Sequence, residues 1–154
     1  MTMDKHVFNV NINWTRDRKG MMCSPELHKK ETNETNCIEV ATPPQFSSGI
    51  PNIWSPEHLF TAAVSSCLMT TFLAIAENSK LEFLSFKCGS KGVLDKVDGK
   101  FVMSEVHLFP EVTITDENQR ERAERILEKS EKVCLISNSI TSKVTMESKI
   151  IVQK

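Results

Sequence analysis

At 154 residues, with 40% hydrophobic and 25% charged side chains, the chain has the size and composition of one globular domain, residues 1–154, able to bury a core without staples. Nineteen Lys and Arg against twenty Asp and Glu leave a formal charge of -1, which excludes a basic field for nucleic acid or anionic lipid. Five irregularly spaced cysteines and an N-terminus, MTMDKHVFNV, without an apolar leader core favour a reducing cytoplasm, where paired thiols are redox-active rather than structural.

In chain order, His6 to Trp14 alternates Phe8, Val10, Ile12 and Trp14 with Asn9, Asn11 and Asn13, the period of a half-buried strand. Short strands are expected near Met21 to Ser24 and Ile38 to Thr42, with the polar ETNETN between them as a turn or exposed loop. A loop from Pro43 to Trp54 leads into SPEHLFTAAVSSCLMTTFLAIAENS, where Ser55 is a suitable N-cap, Pro56 a first-turn proline and Glu57 a favourable charge for the helix dipole. The uncharged run from Leu59 to Ala76 would span ~27 Å as a helix, close to the thickness of a membrane core. Thr61, Ser65, Ser66, Thr70 and Thr71 lower its hydrophobicity, so the expectation is a helix buried on all sides, and one small domain offers too little cover without a second subunit.

Leu81 to Val97 and Lys100 to Thr115 read as two long strands joined at Asp98-Gly99, a hairpin dipeptide, with Gly89 and Gly92 marking a bulge or bend. From Glu117 to about Val133, Ala123, Ile126, Leu127 and Val133 share one side of an amphipathic helix. Cys134 follows in KVCLISNSI, and KVTMESKIIV alternates as a terminal strand.

Taken singly, each cysteine reads as a small buried hydrophobe, Cys37 and Cys88 beside or within strands included. Cys23 and His28 have a spacing compatible with a metal site but lack a second pair, so no metal is expected. Read together, PEHLFTAAVSSC and CLISNSI carry more. The chain resembles the family of osmotically inducible protein C and organic hydroperoxide resistance protein. That family's helix motif is similar to Asn-Pro-Glu-x-Leu-x-Ala-Ala-x-x-x-x-Cys, here Ser55-Pro56-Glu57 through Cys67. Its second motif, Cys-Pro-x-Ser, is similar to Cys134-Leu135-Ile136-Ser137, with Leu135 in place of the proline.

The resemblance implies an α+β OsmC-like fold in which curved antiparallel sheets wrap long buried central helices in an intertwined homodimer. It also implies a peroxidase without cofactors that reduces organic hydroperoxides, with Cys67 as attacking and Cys134 as resolving thiol, and with an external dithiol, lipoyl-type in the family, as reductant. An arginine is expected to hold the thiolate, with Arg18 the better match to the family's Arg-x-Gly pattern and Arg16 the substitute, and Glu57 fixing the guanidinium. Glu57 and Cys67 lie ~15 Å apart along a straight helix. Either the helix breaks or two chains contribute, and the second option places Arg18 and Glu57 of one subunit opposite Cys67 and Cys134 of the other. Leu59, Phe60 and Met69 are expected to line an apolar substrate pocket. The rival reading is a noncatalytic dimer that binds a small apolar ligand or senses oxidant through the same thiols.

Overall fold

The computed structural model describes residues 5–154, so Met1–Asp4 of the N-terminal stretch lie outside the described residues. The chain forms two compact units that meet in sequence at Pro56 and Glu57.

The first unit is a three-stranded antiparallel sheet in the order β1 (Asn11–Arg16), β2 (Lys19–His28), β3 (Thr35–Ala41). The turn from β1 to β2 is Asp17-Arg18, with Asp17 at φ 49°, and the Trp14 indole N–H donates to the Asp17 carbonyl at 3.0 Å. Gly20 sits where a Cβ would lie 2.5 Å from the Asn13 carbonyl oxygen, so this close crossing of β1 over β2 requires glycine. After β3 the loop folds back, with Ala41 N–H donating to the Trp54 carbonyl and Thr42 N–H to that of Arg18. The half-buried character expected from the β1 alternation is not met within one chain. Every β1 residue is exposed, Trp14 at 76%, because among the described residues of the first unit nothing packs on the apolar face that the alternation creates.

In the second unit, α1 (Pro56–Asn78) is one unbroken helix. Then β4 (Ser85–Val97) and β5 (Lys100–Ile114) form the expected hairpin, turning at Asp98 and Gly99 with φ 49° and 79°. After a single 3-10 turn comes α2 (Arg120–Val133), and the tail is two short strands, β6 (Lys143–Met146) and β7 (Lys149–Val152), rather than the single strand expected. Both run parallel to β5 on the edge opposite β4, and the break between them is bridged by Glu147 N–H donating to the Leu108 carbonyl. The hairpin's register shifts between Val93 and Leu94, next to Gly92. At Gly92 itself the sheet lies against α1, where a Cβ would run into Thr61 and Met103.

Val64, Leu68, Phe72 and Ala76 recur every fourth residue of α1 and form one fully buried stripe. Val64 and Leu68 pack with Val106 and Leu108 of β5. Phe72 and Ala76 join Val112 and Ile114 of β5, Ile150 of β7, and Ala123, Ile126 and Leu127 of α2. The Phe72 ring sits 5.2 Å from Phe83 and 5.0 Å from Phe86. The architecture is therefore α+β, with one antiparallel sheet, one mixed sheet and two long helices. The expectation of a helix buried on all sides is not met within one chain: Met69 and Leu73 are about 40% exposed on the far side of α1. Length and composition make α1 the one helix among the described residues capable of crossing a membrane, yet its four-residue stripe is committed to a protein core.

Candidate active site

Cys67 lies on α1 just ahead of the buried Leu68, half-buried, with its sulfur 4.0 Å from the hydroxyl of Thr71 one turn on. Cys134 is the C-cap of α2 and is almost fully buried. There the backbone leaves the helix, at φ -59° and ψ 116°, and turns through Ser137–Ser139, closed by Asn138 N–H donating to the Cys134 carbonyl at 3.1 Å. Ile136 and Ile140 pack against the Val64, Leu68, Val106 and Leu108 cluster. Burial of these two side chains seats the turn on α1 and brings residues 134–136 to Cys67.

The two sulfurs are within hydrogen-bonding reach and are pushed in opposite directions. Burial raises the Cys67 thiol, but hydrogen-bonding groups beside the sulfur, the Cys134 thiol, the Ile136 backbone, the Thr71 hydroxyl and the Leu135 backbone, lower it, and together they hold it below the ordinary thiol value. Burial also raises Cys134, and the neighbouring Cys67 sulfur raises it further. Ser137 beside it lowers the value and only partly offsets this. Such an arrangement supports one anion, on Cys67, beside a thiol that keeps its proton. A thiolate is the nucleophilic form of cysteine, and a protonated partner in contact with it can close a disulfide once the first sulfur has been oxidised.

The sequence pointed to both cysteines but not to their supports. Thr71 was legible, since position i+4 on a helix faces position i. The two backbone donors were not, because amides leave no mark in a sequence. Leu135 does carry a signal: a proline there would have no N–H to give.

Glu57 stands in the first turn of α1, and its Oε2 is buried without a hydrogen-bond partner among the described residues. Because α1 is continuous, Glu57 and Cys67 are indeed separated by ~15 Å of helix, and the alternative of a broken helix is removed. Arg18 lies in the β1–β2 turn and Arg16 at the end of β1, both exposed. The influences that lower Cys67 within its own chain are neutral donors, not guanidinium groups. Leu59 and Phe60 are half-buried on α1, Phe60 against the cluster around Leu68, and Met69 is exposed.

Two further cysteines depart from expectation. Cys23 and Cys37 are neither packed thiols nor a metal corner but a disulfide, formed because the β2–β3 register sets them directly opposite each other. The register of two strands is not visible in the spacing of two cysteines along the chain. Cys88 remains a free thiol in β4, where burial raises it. Among the described residues no group of three His, Cys, Asp or Glu side chains is placed to hold a metal ion.

Residues 49–149 match the family described as OsmC-like protein. An uncharacterised Bacillus subtilis protein, YmaD, is 22% identical over 148 residues, covering 94% of this chain and 93% of its own. Among solved structures, an OsmC-like protein of unknown function from Vibrio cholerae superposes with a TM-score of 0.80 at 22% identity, covering 94% of this chain and 99% of that one. An organic hydroperoxide resistance protein OsmC from Legionella pneumophila gives 0.72 at 21% identity, with 97% of this chain and 100% of that one covered. The organic hydroperoxide resistance protein OhrB of Bacillus subtilis gives 0.66 at 18%, with 94% and 98% covered. At these identities the superpositions establish the fold.

Proposed function

This chain belongs to the OsmC-like protein family, and from that premise we propose that it is a cysteine-based peroxidase reducing organic hydroperoxides to alcohols. The observation that carries the reading is the seating of the Cys134 turn on α1 through Ile136 and Ile140, which makes Cys67 and Cys134 neighbours whose thiols are pushed in opposite directions, Cys67 down and Cys134 up. Similarity to proteins named for organic hydroperoxide resistance supports the choice of substrate class.

In the proposed cycle the Cys67 thiolate attacks one oxygen of the hydroperoxide. The O–O bond breaks, the alkoxide leaves and takes a proton to become the alcohol, and Cys67 becomes a sulfenic acid. The Cys134 sulfur then attacks the Cys67 sulfur and expels hydroxide, which leaves as water with the Cys134 proton. Quick closure of this disulfide keeps the sulfenic acid from irreversible oxidation. An external dithiol, lipoyl-type by family resemblance, restores both thiols and leaves as its own disulfide.

Arg18, with Arg16 as the substitute, and Glu57 complete the site in this reading, supplied by the second subunit of a cytoplasmic homodimer. Three features support the dimer. Glu57 keeps a buried oxygen without a hydrogen-bond partner among the described residues. It is too far along an unbroken helix to serve the Cys67 of its own chain. Phe8, Ile12 and Trp14, and on α1 Met69 and Leu73, expose more apolar surface than a monomer ordinarily leaves in water. A guanidinium on Glu57 would gain a charge-assisted pair and stand ready for the developing charge on oxygen. Leu59, Phe60 and Met69 would receive the hydrocarbon part of the peroxide, making hydrogen peroxide the poorer substrate.

The deciding experiment follows consumption of an alkyl hydroperoxide under excess dihydrolipoamide, with peptide mapping after one equivalent of peroxide. Repeated turnover and a Cys67–Cys134 link are expected. Reaction of one equivalent and no more would instead mark an oxidant sensor, and full turnover by Cys67→Ser would defeat the assignment of the attacking thiol.

A further inference from the structure

We propose that Cys23 and Cys37 form a second redox site, a dithiol–disulfide couple that exchanges with small external dithiols and whose state sets the order of residues 24–36. The proposal stands apart from the peroxidase reading, since it uses neither Cys67 nor Cys134.

The couple is preformed by backbone pairing. Cys23 of β2 faces Cys37 of β3 with a Cα–Cα distance of 4.3 Å, the close spacing of a pair without mutual backbone hydrogen bonds. The strands can hold that spacing without the sulfur bond. On the inner side the register runs unbroken through Met22↔Ile38, Met21↔Glu39, Gly20↔Val40 and Lys19↔Ala41, and Lys19 Nζ meets Glu39 Oε1 at 2.6 Å. Two thiols released there would remain opposed, so closing again would be an intramolecular step favoured by proximity.

On the outer side the support thins to the single pair His28↔Thr35, the Lys29 N–H donating to the Glu34 carbonyl at 2.8 Å, and the Asn9 N–H donating to the Glu26 carboxylate at 3.1 Å. The register shifts between Cys23 and His28, and the hairpin arm beyond the cysteines is exposed along almost its whole length, with only Ser24 buried. The disulfide thus sits at the boundary between a regular ladder and an exposed arm whose pairing is interrupted. Both cysteines are half-buried, which leaves the bond open to a small reagent. In the exchange, one thiolate of the incoming dithiol attacks a sulfur of the pair and releases the other cysteine as a thiolate. The second thiol of the reagent then displaces the remaining cysteine. Two electrons pass from the dithiol to the protein, and the dithiol's two protons end on Cys23 and Cys37 or in water. Opening the cross-link returns conformational freedom to the residues it enclosed, and these are the residues the inner ladder does not hold.

The test uses the full chain in its native state with dihydrolipoamide and lipoamide in graded ratios, acid quenching, alkylation and peptide mapping, alongside amide hydrogen exchange. Cys23 and Cys37 should become fully alkylated in excess dithiol without denaturant and should close again on transfer to lipoamide. Exchange in residues 24–36 should accelerate at least tenfold on reduction, while residues 19–22 and 38–41 keep their protection. A Cys67→Ser/Cys134→Ser variant should open and close at the same ratio. A Cys23→Ser/Cys37→Ser variant should reproduce the exchange pattern of the reduced protein, and the wild-type measurement decides the matter by itself if that variant does not fold. A bond that opens only after denaturation, an inner ladder that loses protection together with the arm, or an unchanged arm would each overturn the proposal.

Discussion

Leu135→Pro separates a backbone hydrogen bond from everything else near Cys67. The Leu135 N–H is one of four donors that hold the Cys67 thiol down against burial, and a proline deletes that donor alone. The fold should accept the change. Proline pushes the preceding residue into extended backbone, and Cys134 already lies there at φ -59° and ψ 116°. The leucine side chain is 71% exposed, so little packing is lost with it. A hydrogen bond to a charged group contributes about 1.5–3 kcal/mol in general, and because Cys67 is partly open to water and the Leu135 amide is the least of the four influences, the lower end is an upper bound here. That corresponds to at most roughly a tenfold smaller thiolate population at neutral pH, since 1.36 kcal/mol is a factor of ten. Thiolate absorbance and the rate of alkylation at Cys67, each followed against pH, should move to higher pH, and peroxide reduction at neutral pH should slow by about the same factor. Leu135→Ala keeps the N–H and should titrate like the wild type. If Leu135→Pro and Leu135→Ala titrate alike, the backbone amide does not support the thiolate and the argument fails.

Removing the thiol donor by Cys134→Ala should also move the Cys67 titration to higher pH, whereas Cys134→Ser, which keeps a donor, should move it less; sulfenic acid should persist in both after one equivalent of peroxide, as dimedone labelling would show. Because folding lowers the Cys67 value, its contribution to stability is present above the unfolded thiol pKa and is lost as pH falls through the folded one. Cys134, raised on folding, behaves oppositely, so Cys134→Ser, which keeps a donor to Cys67, should reduce the loss of stability seen in urea melts as pH rises through the thiol range. Phe72→Ala should cost about 3–5 kcal/mol in urea unfolding, since that ring is fully buried between Phe83 and Phe86. Gly92→Ala should cost about 1–3 kcal/mol through overlap with Thr61 and Met103, and Thr61→Ala in the same chain should recover part of it. Leu73→Asp, on the exposed face of α1, should shift sedimentation from dimer to monomer if that face is the subunit contact.

Local chemistry determined much of this protein from the sequence alone. The proline and acid at the start of α1, the Asp98-Gly99 turn and the charge gradient along α2 act within a few residues of themselves, so the long helices and the hairpin were legible where they occur. The motifs around Cys67 and Cys134 pointed to these two sulfurs for the same reason: each is a short pattern complete in itself. What tertiary structure alone decided depends on registers and contacts between distant segments. Met146 and Ile150 alternate as one strand would, but the break at Glu147 and Ser148 appears only when both halves pair with β5. Cys23 meets Cys37 because two strands align in one register, and a slip of one residue would send them to opposite faces. The chain alternates at β1 as though half-buried, yet every residue of that strand is exposed. The state of Cys67 likewise rests on the Leu135 and Ile136 amides, brought to it by the burial of Ile136 and Ile140, and backbone hydrogen bonds have no residue type to reveal them.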